Sequence, residues 1–125
     1  MLLVMANPAS RRAAYRVERA DARRCFARED IVEGWRHLER AHILAQPDPI
    51  AHVGSHLAML RRGVIDRDAR EVVGQALRAV LAGPASLAGR IPTGNDGRSR
   101  TPLSEQTPIP SDLERFLPGQ PRPAK

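Results

Sequence analysis

All four histidines of the chain lie in one short stretch, residues 37–56. Two spacings in this stretch are typical of metal ligands. Glu39-x-x-His42 has the i, i+3 spacing that helical bundles use for carboxylate and imidazole ligands. His52-x-x-x-His56 has the i, i+4 spacing that presents two imidazoles on one helix face. Imidazole and carboxylate together favour Zn, Fe, Ni or Cu(II). The pattern therefore predicts a divalent transition-metal site.

A short turn at residues 47–49 brings these groups together. Proline disfavours helical geometry in the residue before it, and Asp48 followed by proline is a favourable helix start. Two helices joined by so short a turn pack antiparallel. Residues equidistant from the turn then lie at the same height, which places Glu39 level with His56 and His42 close to both.

The same argument, extended to four helices, predicts one polar layer of the bundle. Its predicted members are Glu18, Glu39, His42, His52, His56 and Gln75. The predicted metal ligands are His42, His52, His56, Glu39 and Glu18. His37 lies on another face of its helix and is left out. A complete di-iron set would need a second Glu-x-x-His motif, so a structural role for these histidines is the alternative.

The predicted fold is all-α, with two antiparallel helical hairpins forming a four-helix array. Apolar spacing and capping residues predict helices at residues 10–27, 31–45, 49–62 and 68–82. Ala22, Phe26, Trp35, Ala41 and Pro47 follow the pattern of a tetratricopeptide hairpin. The predicted buried stripes of the last two helices are apolar and comprise Ile50, Val53, Leu57 and Leu60, then Val72, Val73, Ala76, Leu77, Val80 and Leu81.

The composition changes at Pro84, which is expected to end the fourth helix. Eight of the eleven prolines lie from this residue onward. Ile109, Leu113 and Phe116 nevertheless make this region too apolar for a free tail. The prediction is a helical domain over residues 8–84 and an extended proline-rich arm over 85–117. The arm carries a short helix at residues 111–117, and residues 1–7 and 118–125 are expected to be disordered.

Charge and cysteine content narrow the class of protein. The net charge is +6, but the arginines are dispersed among acids, which is typical of a solvated, salt-bridged surface. We therefore expect no specific nucleic-acid partner. A single cysteine, Cys25, and no membrane-length apolar run predict a cytoplasmic protein without a membrane partner. Translation is expected to start at Met1 or Met5.

Three motifs together resemble a family of small, all-helical bacterial proteins of unknown function. They are the HLERAHIL segment at residues 37–44, the GRIPTGN segment at 89–95 and the PIPSDL segment at 108–113. The resemblance covers most of residues 8–117. It implies membership of that family and brings no assigned chemistry.

The leading functional hypothesis is a small cytosolic protein that binds a metal through the His/Glu layer without being an enzyme. The alternative is a helical-hairpin interaction module in which the polar layer is structural and the partner is an unknown protein. A hydrolase or oxygenase with an open metal position is a third hypothesis. The sequence leaves the metal's identity open, as well as the choice between monomer and homodimer.

Overall fold

The structure, a computed structural model, describes residues 7–89 and 94–117. Four α-helices follow one another: α1 (Pro8–Ala27), α2 (Ile31–Ala45), α3 (Pro49–Ile65) and α4 (Ala69–Leu87). A 3-10 turn, Glu114–Phe116, lies near the end of the described chain. The described ranges contain no strand, so the predicted all-α class is confirmed. The disorder expected for residues 1–7 and 118–125 concerns residues outside these ranges, except for Asn7, whose side chain caps α1.

Side-chain caps define where the helices begin. The Asp30 carboxylate accepts a hydrogen bond from the Glu33 amide, so α2 begins at residue 31, where the sequence analysis placed its start. Asp48 caps α3 by accepting from Ile50 and Ala51. The predicted start of α1 at Ser10 is wrong. The Asn7 side chain caps that helix, and a proline follows at its first position.

Two helices extend beyond their predicted ends. Gly63, expected to terminate α3, instead permits close helix packing, since a Cβ there would lie 3.2 Å from the Glu71 Cβ. Pro84, expected to end α4, lies inside it, and the helix continues to Leu87. Proline removes only one amide donor, and here a single turn remains after it. In that turn the Ser86 hydroxyl donates to the Gln46 carbonyl, which ties the helix end to α2.

The helices pack as two hairpins, α1 with α2 and α3 with α4, and α2 joins the two by packing on α3. One apolar cluster crosses this junction and contains Ala22, Trp35, Leu38 and Met59. Gly34 allows the Phe26 ring to lie against α2, because a Cβ at this position would come within 2.3 Å of that ring. The core is therefore concentrated around α2.

The buried faces of α3 and α4 are polar, which contradicts the predicted apolar stripes. Their buried polar members are His52, Ser55, His56, Glu71, Gln75 and Arg78. Most of the predicted stripe is exposed instead, as with Ile50 at 86% and Val80 at 72%. Apolar periodicity assigned the wrong face because the inward side chains form their own hydrogen-bonded network, so their burial leaves few polar groups unpaired.

Residues 109–117, here called the C-terminal segment, pack against the last turn of α2. Leu113 and Leu117 are buried against Ile43 and Leu44, with Ile109 and Phe116 packed around them. The helix predicted at residues 111–117 is reduced to a turn followed by the 3-10 turn. Within the described ranges, no helix combines the length and apolarity needed to cross a membrane.

Candidate metal site

Three histidines meet where α2 passes into α3. His42 lies in the last turn of α2, His52 in the first turn of α3, and His56 one turn further along α3. The turn capped by Asp48 folds α3 back beside α2, so the three rings project into the same space. Each residue is at most 4% exposed. The equal-height argument from the sequence therefore located these three side chains correctly relative to one another.

The three Nε2 atoms form a nearly equilateral triangle. The distances are 3.1 Å from His42 to His52, 3.2 Å from His42 to His56, and 3.1 Å from His52 to His56. Three nitrogens bound tetrahedrally to Zn²⁺ at the usual bond length would lie about 3.3 Å apart. The triangle thus has the dimensions of three ligands on one face of a transition-metal ion.

The hydrogen bonds on the opposite ring atoms fix the tautomer of every histidine. His42 Nδ1 lies 2.6 Å from the Asn95 carbonyl oxygen, which can only accept. His56 Nδ1 lies 2.7 Å from the Gln75 side-chain oxygen. That amide is correctly oriented, because its nitrogen donates to Glu71 and to the Gly97 carbonyl. Both histidines therefore carry their proton on Nδ1.

The same reasoning applies to His52. Its Nδ1 lies 2.8 Å from the Ser86 hydroxyl oxygen. That hydroxyl donates its own hydrogen to the Gln46 carbonyl, so it accepts from His52. In their neutral form, the three rings consequently direct three unprotonated Nε2 lone pairs at one another.

The surroundings keep these rings neutral. Burial, reinforced by the charge that His56 would carry, lowers the pKa of His52 to about 4. Burial also lowers the pKa of His56 to about 4, against the opposing hydrogen bond to Gln75. His42 is buried as well, and burial holds its pKa well below the ordinary value. Neutral imidazole is the form that binds metal, so the rings are ready to ligate at neutral pH.

A buried carboxylate supports the site from α4. Glu71, only 1% exposed, accepts from the Gln75 amide, the Ser99 backbone amide and Arg98. Burial raises its pKa, but these hydrogen bonds and the arginine charge outweigh that effect and lower it overall. Glu71, Gln75 and His56 therefore form a chain from carboxylate to amide to imidazole, of the kind that orients metal-binding histidines.

Residues 94–99, here called the 94–99 segment, cover His42. The Asn95 side chain donates to the Pro102 and Glu105 carbonyls and accepts from the Gly97 amide, which holds its own carbonyl toward the histidine. Gly97 has φ +83°, and a Cβ there would lie 2.6 Å from the His42 ring. This position therefore requires glycine both for its backbone conformation and for its close approach to His42.

The two predicted glutamate ligands lie elsewhere. Glu39 accepts from Arg98, and burial raises its pKa despite that partner. Glu18 is buried on another side of α2, where it binds His37 at 2.6 Å and Arg40 at 2.9 Å. The described structure groups His42, His52 and His56 without either glutamate, and it places Glu18 in a separate group with Asp21 and His37. Their charges are directed to arginine and to His37, which is consistent with a structural role.

Sequence reasoning placed Gln75 in the layer but missed Glu71, Ser86 and Asn95. A signal for Glu71 was present, since Glu71, Gln75 and Arg78 recur at i, i+4 and i+7 along one face of α4. Asn95 acts through its backbone carbonyl, which no side-chain pattern reveals.

The fold and the site define a small all-α protein with a buried cluster of three histidines. A family model described as "Protein of unknown function (DUF3703)" matches residues 9–117. The chain belongs to this family, which confirms the resemblance to a family without an assigned function. No curated protein and no solved structure matches the chain.

Proposed function

We propose that this protein binds one divalent transition-metal ion through the Nε2 atoms of His42, His52 and His56. The observation that carries the proposal is the convergence of three proton-free nitrogens within 3.2 Å of one another. A buried acceptor without a donor costs roughly 1–3 kcal/mol, and here three acceptors face each other. A cation bound between the three Nε2 atoms would accept their lone pairs and remove the repulsion between them.

A purely structural histidine layer is a poorer explanation. Structural histidines usually place one nitrogen against a donor and the other against an acceptor, so both are satisfied. Here each Nδ1 atom has an acceptor, whereas in the described part of the chain the Nε2 atoms face one another. A shared proton would have to charge a buried ring, which the loss of solvation opposes.

The role that we propose for the three histidines is binding of an ion without catalysis. Three neutral imidazoles suit Zn, Fe, Ni or Cu(II). Among the residues that line the adjoining cavity in the described structure, none is a carboxylate, so the lining supplies no carboxylate base to activate water. The proposed activity is therefore retention of the ion.

Metal titration tests this proposal directly. Calorimetry with Zn²⁺, Ni²⁺ and Cu²⁺ on chelator-stripped protein should give one site per chain, and thermal stability should rise because only the folded state assembles the ligands. His42→Ala, His52→Ala and His56→Ala should each abolish both effects. The control His37→Ala removes a histidine that binds Glu18 outside the cluster, so its binding should match wild type. Wild-type protein that neither binds an ion nor gains stability would refute the proposal.

A second candidate function is self-association through α3 and α4. The exposed apolar side chains of these helices favour it, and we define the outer apolar face by Ile50, Leu57, Val73, Leu77 and Val80. Exposed apolar side chains that cluster on one face mark interaction sites in many proteins. A homodimer joined here would leave the buried polar faces, and hence the histidines, inside each protomer.

A further inference from the structure

A cavity of about 430 Å³ adjoins the histidine cluster. His42, His52 and His56 form part of its wall, and much of the rest is aliphatic, including Leu81, Ala85 and Leu103. Volumes of this size accommodate small organic molecules. A metal ion bound by three histidines would keep a coordination position for a further ligand, as zinc sites with three protein ligands do.

Among the described residues of the cavity wall, Arg78 is the one with a charged side chain at neutral pH. Arg78 is only 7% exposed, and among the described residues it donates a hydrogen bond to the Thr101 carbonyl. No carboxylate in the described ranges forms an ion pair with it, although Glu71 and Asp96 act on it at longer range. A buried guanidinium presents several donors and is well suited to a carboxylate.

The charges in the site also favour an anion. The Arg78 charge reaches His42 and His56, where it opposes their protonation. A divalent ion on three neutral imidazoles would add two further positive charges beside it. Since the described residues of the wall include no acidic side chain, an anionic ligand would compensate this charge.

Resting on the metal site proposed above, we infer that the cavity binds a small organic carboxylate. One carboxylate oxygen takes the open position on the ion, and Arg78 binds the carboxylate group. The hydrocarbon part of the ligand lies against Leu81, Ala85 and Leu103. The aliphatic wall favours such a molecule over a bare inorganic anion, which would gain nothing from it.

Cobalt(II) provides a readout that separates the two proposals. The Co²⁺-loaded protein should show visible ligand-field absorption, which reports metal binding by itself. Acetate, butyrate and hexanoate should then perturb this spectrum. Their affinity should rise by up to about fourfold for each CH₂ group that becomes buried.

Matched variants test the roles of Arg78 and the wall. Arg78→Gln should weaken carboxylate binding at least tenfold while leaving the cobalt spectrum of the unliganded protein in place. The control Arg70→Gln removes the same charge from an exposed position on α4 and should have no effect. Ala85→Leu should weaken the binding of hexanoate much more than that of acetate. If circular dichroism shows that Arg78→Gln does not fold, Ala85→Leu tests the carboxylate site in its place.

The outcomes distinguish the proposals. A cobalt spectrum that forms but does not change with any carboxylate would overturn the inference and leave the metal site intact. Equal affinity for acetate and hexanoate, or unchanged binding in a folded Arg78→Gln protein, would overturn it as well. Failure to bind cobalt or any other tested ion would overturn the metal site and, with it, this inference.

Discussion

His52 and His56 are maintained as neutral bases inside the protein, and this has a measurable cost when the pH falls. Burial lowers the pKa of both residues to about 4, against about 6.5 in an unfolded chain. Between these values the unfolded chain binds more protons than the folded protein. The stability of the metal-free protein is therefore complete above pH 6.5 and decreases as the pH falls toward 4.

We predict that the free energy of unfolding of the metal-free protein decreases across this window. The slope is at most about 1.4 kcal/mol per pH unit for each proton taken up. Urea unfolding in the presence of a chelator at pH 7, 5.5 and 4.5 measures it. His52→Gln should show a shallower slope than wild type. The same stability at all three pH values would show that the histidines are not buried as neutral bases.

Gly97 and Gly89 allow a matched test of how His42 is positioned. Both have positive φ, +83° and +65°, so alanine is strained at either position. Only at Gly97 would the new Cβ collide with His42, whereas at Gly89 nothing lies within 4 Å. Gly97→Ala should therefore reduce metal affinity by at least tenfold, measured by competition with a chromophoric chelator. Gly89→Ala should lower the stability of the protein without changing its metal affinity. Equal metal affinities in the two variants would show that Gly97 does not position His42.

At the scale of the elements, the turn between α2 and α3 was the informative part of the sequence. Asp48 defines the start of α3, and the short connection puts His42 beside His52 and His56. These relations depend on local chemistry, which a sequence exposes. Glu39 has the expected height on α2 but is directed toward Arg98, whose position depends on a contact 59 residues away along the chain.

In helix α4, apolar periodicity predicted the wrong buried face. Val73, Leu77 and Val80 have the spacing of a buried stripe, yet the opposite face is buried with Glu71 and Gln75. Burial of the polar face depends on partners from α3 and from the 94–99 segment. Such partners are brought together only by the complete fold, so no window of one helix reveals them.

The C-terminal segment should contribute substantially to stability. Leu113, only 2% exposed, packs with Ile43 and Leu44. Leu113→Ala should lower the free energy of unfolding by about 2–5 kcal/mol, because it leaves a cavity in this cluster. The control Leu87→Ala alters an exposed leucine and should change stability by less than about 0.5 kcal/mol. Similar effects of the two substitutions in chemical denaturation would show that the segment is not part of the core.

For the whole molecule, the exposed apolar side chains of α3 and α4 raise the question of assembly. If the outer apolar face joins two copies, sedimentation equilibrium should approach twice the chain mass of 13.8 kDa as concentration rises. Val80→Glu places a charge in that face and should shift the protein to the monomer. Arg70→Glu, at an exposed polar position of α4, is the control and should remain dimeric. A wild-type monomer at high concentration would exclude this interface.

The hydrogen bond at each Nδ1 atom has a consequence for the rate at which a bound metal ion would dissociate. His42 is held by Asn95, His52 by Ser86 and His56 by Gln75, so no ring can swing away from an ion without breaking its own hydrogen bond. Departure of the ion would then wait for local opening of the 94–99 segment or the end of α4. The dissociation rate should consequently reach a plateau as the concentration of an external chelator increases. The residence time of an ion bound here would therefore be set by the rate of local opening of the protein and not by the concentration of a competing chelator.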